Sequence, residues 1–236
     1  QAILMVEQGA DIIDIGGEST RPGAPEVNAE DELKRVLPVI EALSGNINVP
    51  ISIDTSKPVV MERAFDAGAS IINDVYALRA KGALEMAASL GADVCLMHMQ
   101  GNPRTMQKNP KYDDVVSDVK IFFTERLEAC SAVGIKLDSI TLDPGFGFGK
   151  NLAHNIALLK NLAEFHDFGV SILAGLSRKS MIGSLLGDKE VDSRMIGSVT
   201  AALIAVENGA NIIRAHDVAE TKDALTVWQQ IKHFRE

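Results

Sequence analysis

Only two cysteines, Cys95 and Cys130, occur in 236 residues. That count excludes a disulfide scaffold. Cys95 lies in the apolar run Asp93–Met97 and reads as a small buried residue, and Cys130 falls in a helical pattern. Two isolated thiols fit a reducing cytoplasm. No apolar run approaches the ~20 residues of a membrane span. No signal-peptide pattern opens the chain, and residue 1 is Gln, so residues upstream of it are expected. No Ser/His/Asp or Cys/His triad is suggested. Positive charge is scarce: 23 Lys and Arg stand against 32 Asp and Glu, a formal charge of −9. Such acidity argues against non-specific nucleic-acid binding. Anionic substrates would have to be met by locally placed Arg and Lys.

What is present is an ordinary globular composition, 46% hydrophobic and 23% charged. The length suits one large α/β domain, since barrels of this class run to ~200–250 residues. No linker, low-complexity tract or second domain is visible, so residues 1–236 read as a single domain.

One phrase recurs. It reads Gln8-Gly-Ala-Asp-Ile-Ile-Asp-Ile, then Ala67-Gly-Ala-Ser-Ile-Ile-Asn-Asp, then Leu90-Gly-Ala-Asp-Val-Cys-Leu-Met, and finally Asn208-Gly-Ala-Asn-Ile-Ile-Arg-Ala. Each instance follows a helical pattern. The Gly fits a helix C′ position, and the β-branched run after it reads as a strand buried on both faces. Three less regular strands, Val49–Thr55, Ile140–Pro144 and Val170–Leu176, fall between these. Leu33, Val36, Leu37 and Ile40 recur at helical spacing, with Asn28 or Asp31 as the cap. Pro38 should kink that helix or mark its edge. Ser56-Lys-Pro58 should open another helix with a cap and an early Pro. Further helices are expected over 1–8, 113–132, 154–166, 193–208 and 219–234. Gly101–Tyr112 is the longest stretch without a pattern, and loops of that length are often functional.

Strand alternating with helix means a parallel sheet. The evenness of the repeat favours a closed (β/α)8 TIM barrel over an open doubly wound sheet. Seven strand runs are visible, so strands two to eight of such a barrel are expected here, with the first missing.

Chemistry in barrels gathers at the C-terminal ends of strands. Each run here ends in something polar: Gly16-Gly-Glu-Ser-Thr-Arg-Pro-Gly, Asp54-Thr-Ser-Lys, Asn73-Asp74, His98-Met-Gln-Gly, Asp143-Pro-Gly-Phe-Gly-Phe-Gly-Lys, Gly175-Leu-Ser-Arg-Lys-Ser and Arg214-Ala-His-Asp. One such ending could be a helix cap; seven on one rim resist that explanation. Asp54, Asn73 and Asp143 form an acidic and amide side. Singly, Asp54 or Asp143 could cap the next helix or turn. Together they suit a neutral heterocycle with a row of N–H donors, because a carboxylate accepts two parallel hydrogen bonds. A divalent metal on two carboxylates is the weaker alternative, since no third carboxylate or paired His joins them at ligand spacing.

Arg21, Lys179, Arg214 and His216 form a basic side. Arg214 and His216 are two apart on a strand and face the same way, so they could clamp a diphosphate. A satisfied core histidine is the commoner reading of a lone His, but the spacing of His216 from Arg214 lifts it above that; a solvated surface lysine is the plainer reading of Lys179. The apolar neighbours of Lys179 argue for its partial burial. Gly145, Gly147 and Gly149 alternate with Phe146 and Phe148, a weak phosphate loop but a good aromatic platform. Phe148 could stack on a flat ring, while Phe146 could equally plug the barrel mouth. Met97 reads as pocket wall and His98 as structural. His154, His166 and His233 read as surface residues in helices.

Taken in order, these endings resemble dihydropteroate synthase. The signatures are Glu18-Ser-Thr-Arg-Pro-Gly23, Ser52-Ile-Asp-Thr-Ser-Lys57, Ile72-Asn-Asp74, Leu96-Met-His-Met-Gln-Gly-Asn102, Leu142–Lys150, Ser177-Arg-Lys-Ser-Met181 and Arg214-Ala-His-Asp217. They span nearly the whole chain and are jointly specific. The resemblance implies a transferase of folate synthesis, and a sulfonamide target. It would join 6-hydroxymethyl-7,8-dihydropterin diphosphate to p-aminobenzoate, giving 7,8-dihydropteroate and diphosphate. By matching motifs, Asp54, Asn73, Asp143 and Lys179 would hold the pterin, with Met97, Phe148 and Gly175 lining its pocket. Arg214 and His216 would hold the diphosphate. Thr20, Arg21, Pro22 and Ser180 would form the p-aminobenzoate side. Lys179, Asp143, Arg214 and His216 are the implied catalytic set.

The resemblance also implies Mg2+ with the diphosphate. Its usual Asn ligand lies on a first strand that these residues lack, so no metal ligand is assigned here. It implies a homodimer too, through helices near the C-terminal end such as 196–206, and it leaves room for an upstream pterin pyrophosphokinase domain. The nearest alternative is a pterin-binding methyltransferase domain acting with a corrinoid protein, which needs no diphosphate clamp. A non-catalytic pterin-binding module is another, and a phosphate-sugar barrel enzyme is more distant.

Overall fold

The recurring Gly-Ala phrase becomes the joint between helix and strand. In the computed structural model, which describes residues 1–21 and 23–234, the helices β-branched runs follow end on left-handed glycines. Gly68, with φ +118°, caps one, and Gly91, with φ +61°, caps another. Their amides return to carbonyls of the last turn, which a residue with a side chain would do only under strain.

The chain opens on α1 (Ala2–Glu7) and β1 (Ile13–Gly16), then runs through α2 (Ala29–Leu43), β2 (Ile51–Asp54), α3 (Pro58–Ala67) and β3 (Ile71–Asp74). It continues with α4 (Ala83–Leu90), β4 (Asp93–Met97), α5 (Val115–Ala132), β5 (Ile140–Asp143), α6 (Leu152–Lys160) and β6 (Ser171–Ala174). It closes with α7 (Ser180–Leu185), α8 (Met195–Glu207), β7 (Ile212–Ile213) and α9 (Val218–Lys232). All seven strands are parallel and pair in sequence order from β1 to β7. The architecture is thus α/β, with seven consecutive parallel strands in one curled sheet. None of the helices described is long and apolar enough to cross a membrane.

Several boundaries differ from the sequence expectation. Pro38 lies inside α2, which continues five residues beyond it; it marks no edge. Asn28 is the cap, accepting from the Asp31 amide at 2.8 Å. The residue capping α3 is Lys57, whose side chain makes no cap bond, and Pro58 occupies the first turn; Ser56 is not the cap. The helix expected over 154–166 is split into α6 and a 3-10 helix, Leu162–Phe168. His166 lies in the latter and His154 in α6, where it forms a capping box with Asn151. His233 follows α9.

The register divides the sheet into two faces. One carries Ile13, Ile51, Ile53, Ile72, Val94, Leu96, Ile140, Leu142, Ile172 and Ala174, all in the buried core. Helices pack on that face, as the apolar runs require. The other face is where the polar residues lie.

Candidate active site

Gly16 pairs with Asp54, Asp54 with Asn73, Asn73 with Cys95 and Met97 with Asp143. Thr141 pairs with Ser171, and Leu173 with Ile212. Since side chains alternate, Asp14, Asp54, Asn73, Met97, Asp143, Gly175 and Arg214 share one face of the sheet. Period two, carried from strand to strand by the register, gathers the row that the separate endings only suggested.

The acidic side is built tightly. Asp54 is not a helix cap, because α3 is capped at Lys57. Asp143 does serve a turn with one oxygen, accepting from the Gly145 amide at 2.8 Å. Asn73 Nδ2 donates to Asp14 Oδ2 at 3.1 Å, and Arg214 Nε donates to the same oxygen at 2.8 Å. Arg214 also stands 3.8 Å from Asp54. The other oxygen of Asp14, Oδ1, is buried without a partner. Asp14 was not among the residues expected here; its signal was a lone charge inside an apolar run, on the same parity as Gly16.

Burial first, and then the charge of Asp14, pushes the Asp54 carboxyl up to about 8, while Arg214 works in the opposite direction. Asp143 is likewise raised by burial, against Lys179 and the Gly145 amide. Burial lowers Lys179 to about 8, with Asp143 opposing. Burial also draws Arg214 down, but Asp14 and Asp54 outweigh it and the net direction is upward.

In the glycine loop after β5 the amides of Gly145, Gly147 and Phe148 donate within the protein, to Asp143, Asn155 and the Gly145 carbonyl. Phe148 is partly buried and packs beside Met97, Met99 and Val75, whereas Phe146 is wholly in the core. Lys179 is half-buried, as its apolar neighbours indicated. Its Nζ donates to the Phe146 carbonyl at 2.5 Å and lies 4.9 Å from the centre of the Phe148 ring. The loop is pinned from below by Lys150, a residue the sequence did not single out. Its buried amine, which burial draws well below the usual lysine range, donates to Gly145 O at 3.0 Å and Phe148 O at 3.0 Å, and lies 2.8 Å from His98 Nδ1. Burial, and then Lys150, pulls His98 down to about 2. His98 is therefore neutral, which fits its structural reading. The stretch 101–112 packs onto the same loop: Gln107 donates to Gly147 O at 2.5 Å and Tyr112 to Gly149 O at 2.8 Å.

The basic side is more open. Arg214 and His216 are both exposed. Ser177, also not singled out, bonds His216: its Oγ accepts from the His216 amide at 3.1 Å and lies 3.0 Å from Nδ1. Burial, then Arg214 and Arg178, lowers His216, with Asp217 opposing. Arg178 holds Asp217 through its guanidinium and so ties the β6 and β7 endings together. Ser180 opens α7 and is exposed, and Thr20 is half-buried in the loop after β1. Pro22 lies outside the described residues.

A parallel sheet whose strand ends carry a carboxylate-amide row beside Arg214 and His216 has the layout of an α/β enzyme with its site at the C-terminal ends of the strands. Comparison with known proteins sharpens the class. The model of the pterin binding enzyme family matches residues 1–216. The dihydropteroate synthase of Escherichia coli (strain K12) is 56% identical over 228 residues, covering 96% of this chain and 80% of that protein. The crystal structure of Yersinia pestis dihydropteroate synthase with a sulfonamide drug complex superposes with a TM-score of 0.96 at 52% identity, covering 99% of this chain and 84% of that one. Xanthomonas albilineans dihydropteroate synthase with 4-aminobenzoic acid superposes at 0.95 with 50% identity, covering 99% and 84%. The chain belongs to the pterin-binding enzyme family, among its dihydropteroate synthases.

Proposed function

We propose that this site joins 6-hydroxymethyl-7,8-dihydropterin diphosphate to p-aminobenzoate as a dihydropteroate synthase, with the roles divided as follows. The observation that carries the assignment is the single inward row of Asp14, Asp54, Asn73 and Asp143 meeting Arg214 at one end. The pterin lies on that row, its amino and ring N–H groups donating to the side-chain oxygens of its Asp and Asn residues. The unpartnered oxygen of Asp14 is one acceptor such donors would satisfy. Met97, Phe148 and Gly175 form the walls, and Phe148 stacks on the ring.

The aryl amine is neutral at pH 7 and attacks the methylene carbon without a strong base. A C–N bond forms, the C–O bond to diphosphate breaks, and the amine loses a proton. Departing charge is met by Arg214 and His216. Asp143 electrostatically favours the electron-poor pterin, and Lys179 orients it. Thr20, Arg21 and Ser180 face p-aminobenzoate, with the Arg21 charge set for its carboxylate or for the leaving diphosphate. Sulfonamides would compete at that side.

Mg2+ would supply further Lewis-acid stabilisation of the diphosphate. Among the described residues no three His, Cys, Asp or Glu side chains converge to hold a metal, so no step is assigned through it. The seven strands are read as strands two to eight of a (β/α)8 barrel. A homodimer in the cytoplasm is the proposed state; the exposed Ile196 and Ile204 on α8 support an apolar contact there.

Diphosphate release that depends on p-aminobenzoate tests the activity; pterin binding without release would leave only a binding module. Asp143→Asn should lower turnover more than diphosphate affinity. Equal losses in both would remove the role given to Asp143.

A further inference from the structure

The loop carrying Thr20 and Arg21 is fastened by a three-residue clip outside the substrate pocket. Glu18 begins the loop. One of its oxygens accepts from the Val27 amide at 3.2 Å, closing the loop on itself. The other accepts from the Lys57 ammonium. Lys57 follows Asp54 by three residues, so it leaves the same strand end that carries a pterin contact. The same ammonium donates to Glu32 Oε2 at 2.5 Å, and Glu32 is wholly buried in the first turn of α2.

The backbone is pressed against the same helix. A Cβ on Gly17 would stand 2.8 Å from Glu32 Cγ and 2.9 Å from Val36 Cγ1. Arg35, one turn along α2, donates to the Gly17 carbonyl at 2.8 Å. Burial alone would lower Lys57, but Glu18 and Glu32 raise it overall, so the ammonium stays charged through the working range. Two carboxylates and one ammonium thus link the substrate loop, β2 and α2. Lys57 and Glu32 suffice to join α2 to the β2 ending; the addition of Glu18 serves the loop alone.

We propose that Lys57 is a positioning residue for the aryl-amine substrate, using Glu32 as a fixed anchor and Glu18 as the handle by which it sets the Thr20–Arg21 loop. The inference rests on the reading that Thr20 and Arg21 face p-aminobenzoate. The three clip residues are assigned no contact with the reacting atoms.

Glu18→Ala is the informative variant, because it frees the loop and leaves the Lys57–Glu32 pair that holds the fold. KM for p-aminobenzoate should rise roughly 10- to 100-fold, the scale of a small misplacement. KM for the pterin diphosphate should stay within about twofold, and the melting temperature should hold. Amide exchange over residues 19–27 should quicken. Lys57→Met should give the same KM split but also lower the melting temperature, because it leaves the buried Glu32 unpaired, and Lys57→Arg, which keeps the charge, should recover part of both. Arg21→Ala is the control. If it raises KM for p-aminobenzoate and Glu18→Ala does not, the clip is overturned alone. If neither does, the substrate reading fails and takes the proposal with it. Equal rises in both KM values for Glu18→Ala would show a merely structural role and also overturn it.

Discussion

The two sides of the rim are built in opposite ways. At the β4–β6 side, Asp143, Phe148, Lys150 and Lys179 are joined by short bonds to backbone carbonyls and amides. A Cβ on Gly145 would meet the His98 carbonyl at 1.9 Å, so neither backbone can shift without the other. At the β7 and β1 side, Arg214 keeps 49% of its side chain exposed, and its partners are the carboxylates of Asp14 and Asp54. A ring pocket gains from being built before the ligand arrives. In the proposed mechanism the anion clamp exchanges protein carboxylates for a diphosphate and lets the product go, and a half-exposed guanidinium suits that exchange. The contrast predicts that loss of a supporting side chain on the buried side will be read out chiefly as lost stability, and loss of the guanidinium on the open side chiefly as lost turnover.

The largest effect should come from the open side. Arg214→Met removes the donor that the proposed mechanism directs at the leaving group, and losses of about 10²–10³-fold in kcat are usual for such a donor. The melting temperature should move little. A thermal loss as large as that of the next variant would erase the distinction between the two sides.

Lys150→Met tests the buried side. It takes the hydrogen-bond partner from the Phe148 carbonyl and from His98 Nδ1, at about 1–3 kcal/mol for each buried polar group left unpartnered, while the Gly145 carbonyl keeps the Phe148 amide at 3.0 Å. A total near 3 kcal/mol would lower the melting temperature by roughly 6–12 °C in a chain of this size. Thermal unfolding by circular dichroism measures it. A stable variant that binds pterin normally would show that the glycine loop holds its shape unaided.

This division was only partly legible in the sequence. The strands were, because Ile-Ile and Val-Cys runs after Gly-Ala leave few alternatives. Asp54, Asn73 and Asp143 stood out because each terminates such a run. Asp14 did not, because it sits within its run, and only the register places it on the inward face beside Asp54 and Asn73. The clip was hidden for a different reason. Lys57 bonds Glu18 across 39 residues and Glu32 across 25, and no local pattern encodes such pairings. Lys150 looked like the ordinary end of a glycine motif. Its meaning depends on the backbone of β4, which reaches it only through the fold.

Asp54 lies between the two sides, and its pH behaviour sharpens the comparison. Its carboxyl is held near 8 in the folded chain by burial and by Asp14, against an ordinary value of 3.8. Below about pH 4 the group is neutral in both folded and unfolded chains and costs nothing. Between about 4 and 8 the unfolded chain releases the proton while the folded chain retains it, so stability falls as pH rises. Above 8 the loss is complete. Asp54→Asn removes this dependence. Its stability relative to the parent should therefore improve with pH, by roughly 1–2 kcal/mol in all between pH 5 and 8. That is below the ceiling of about 1.4 kcal/mol per pH unit, because Arg214 pulls the other way and the side chain retains some contact with solvent. Urea unfolding of both proteins across that interval measures the gap. A gap that does not change with pH would mean that Arg214 already holds Asp54 ionised. The open side would then be as pre-built as the buried one.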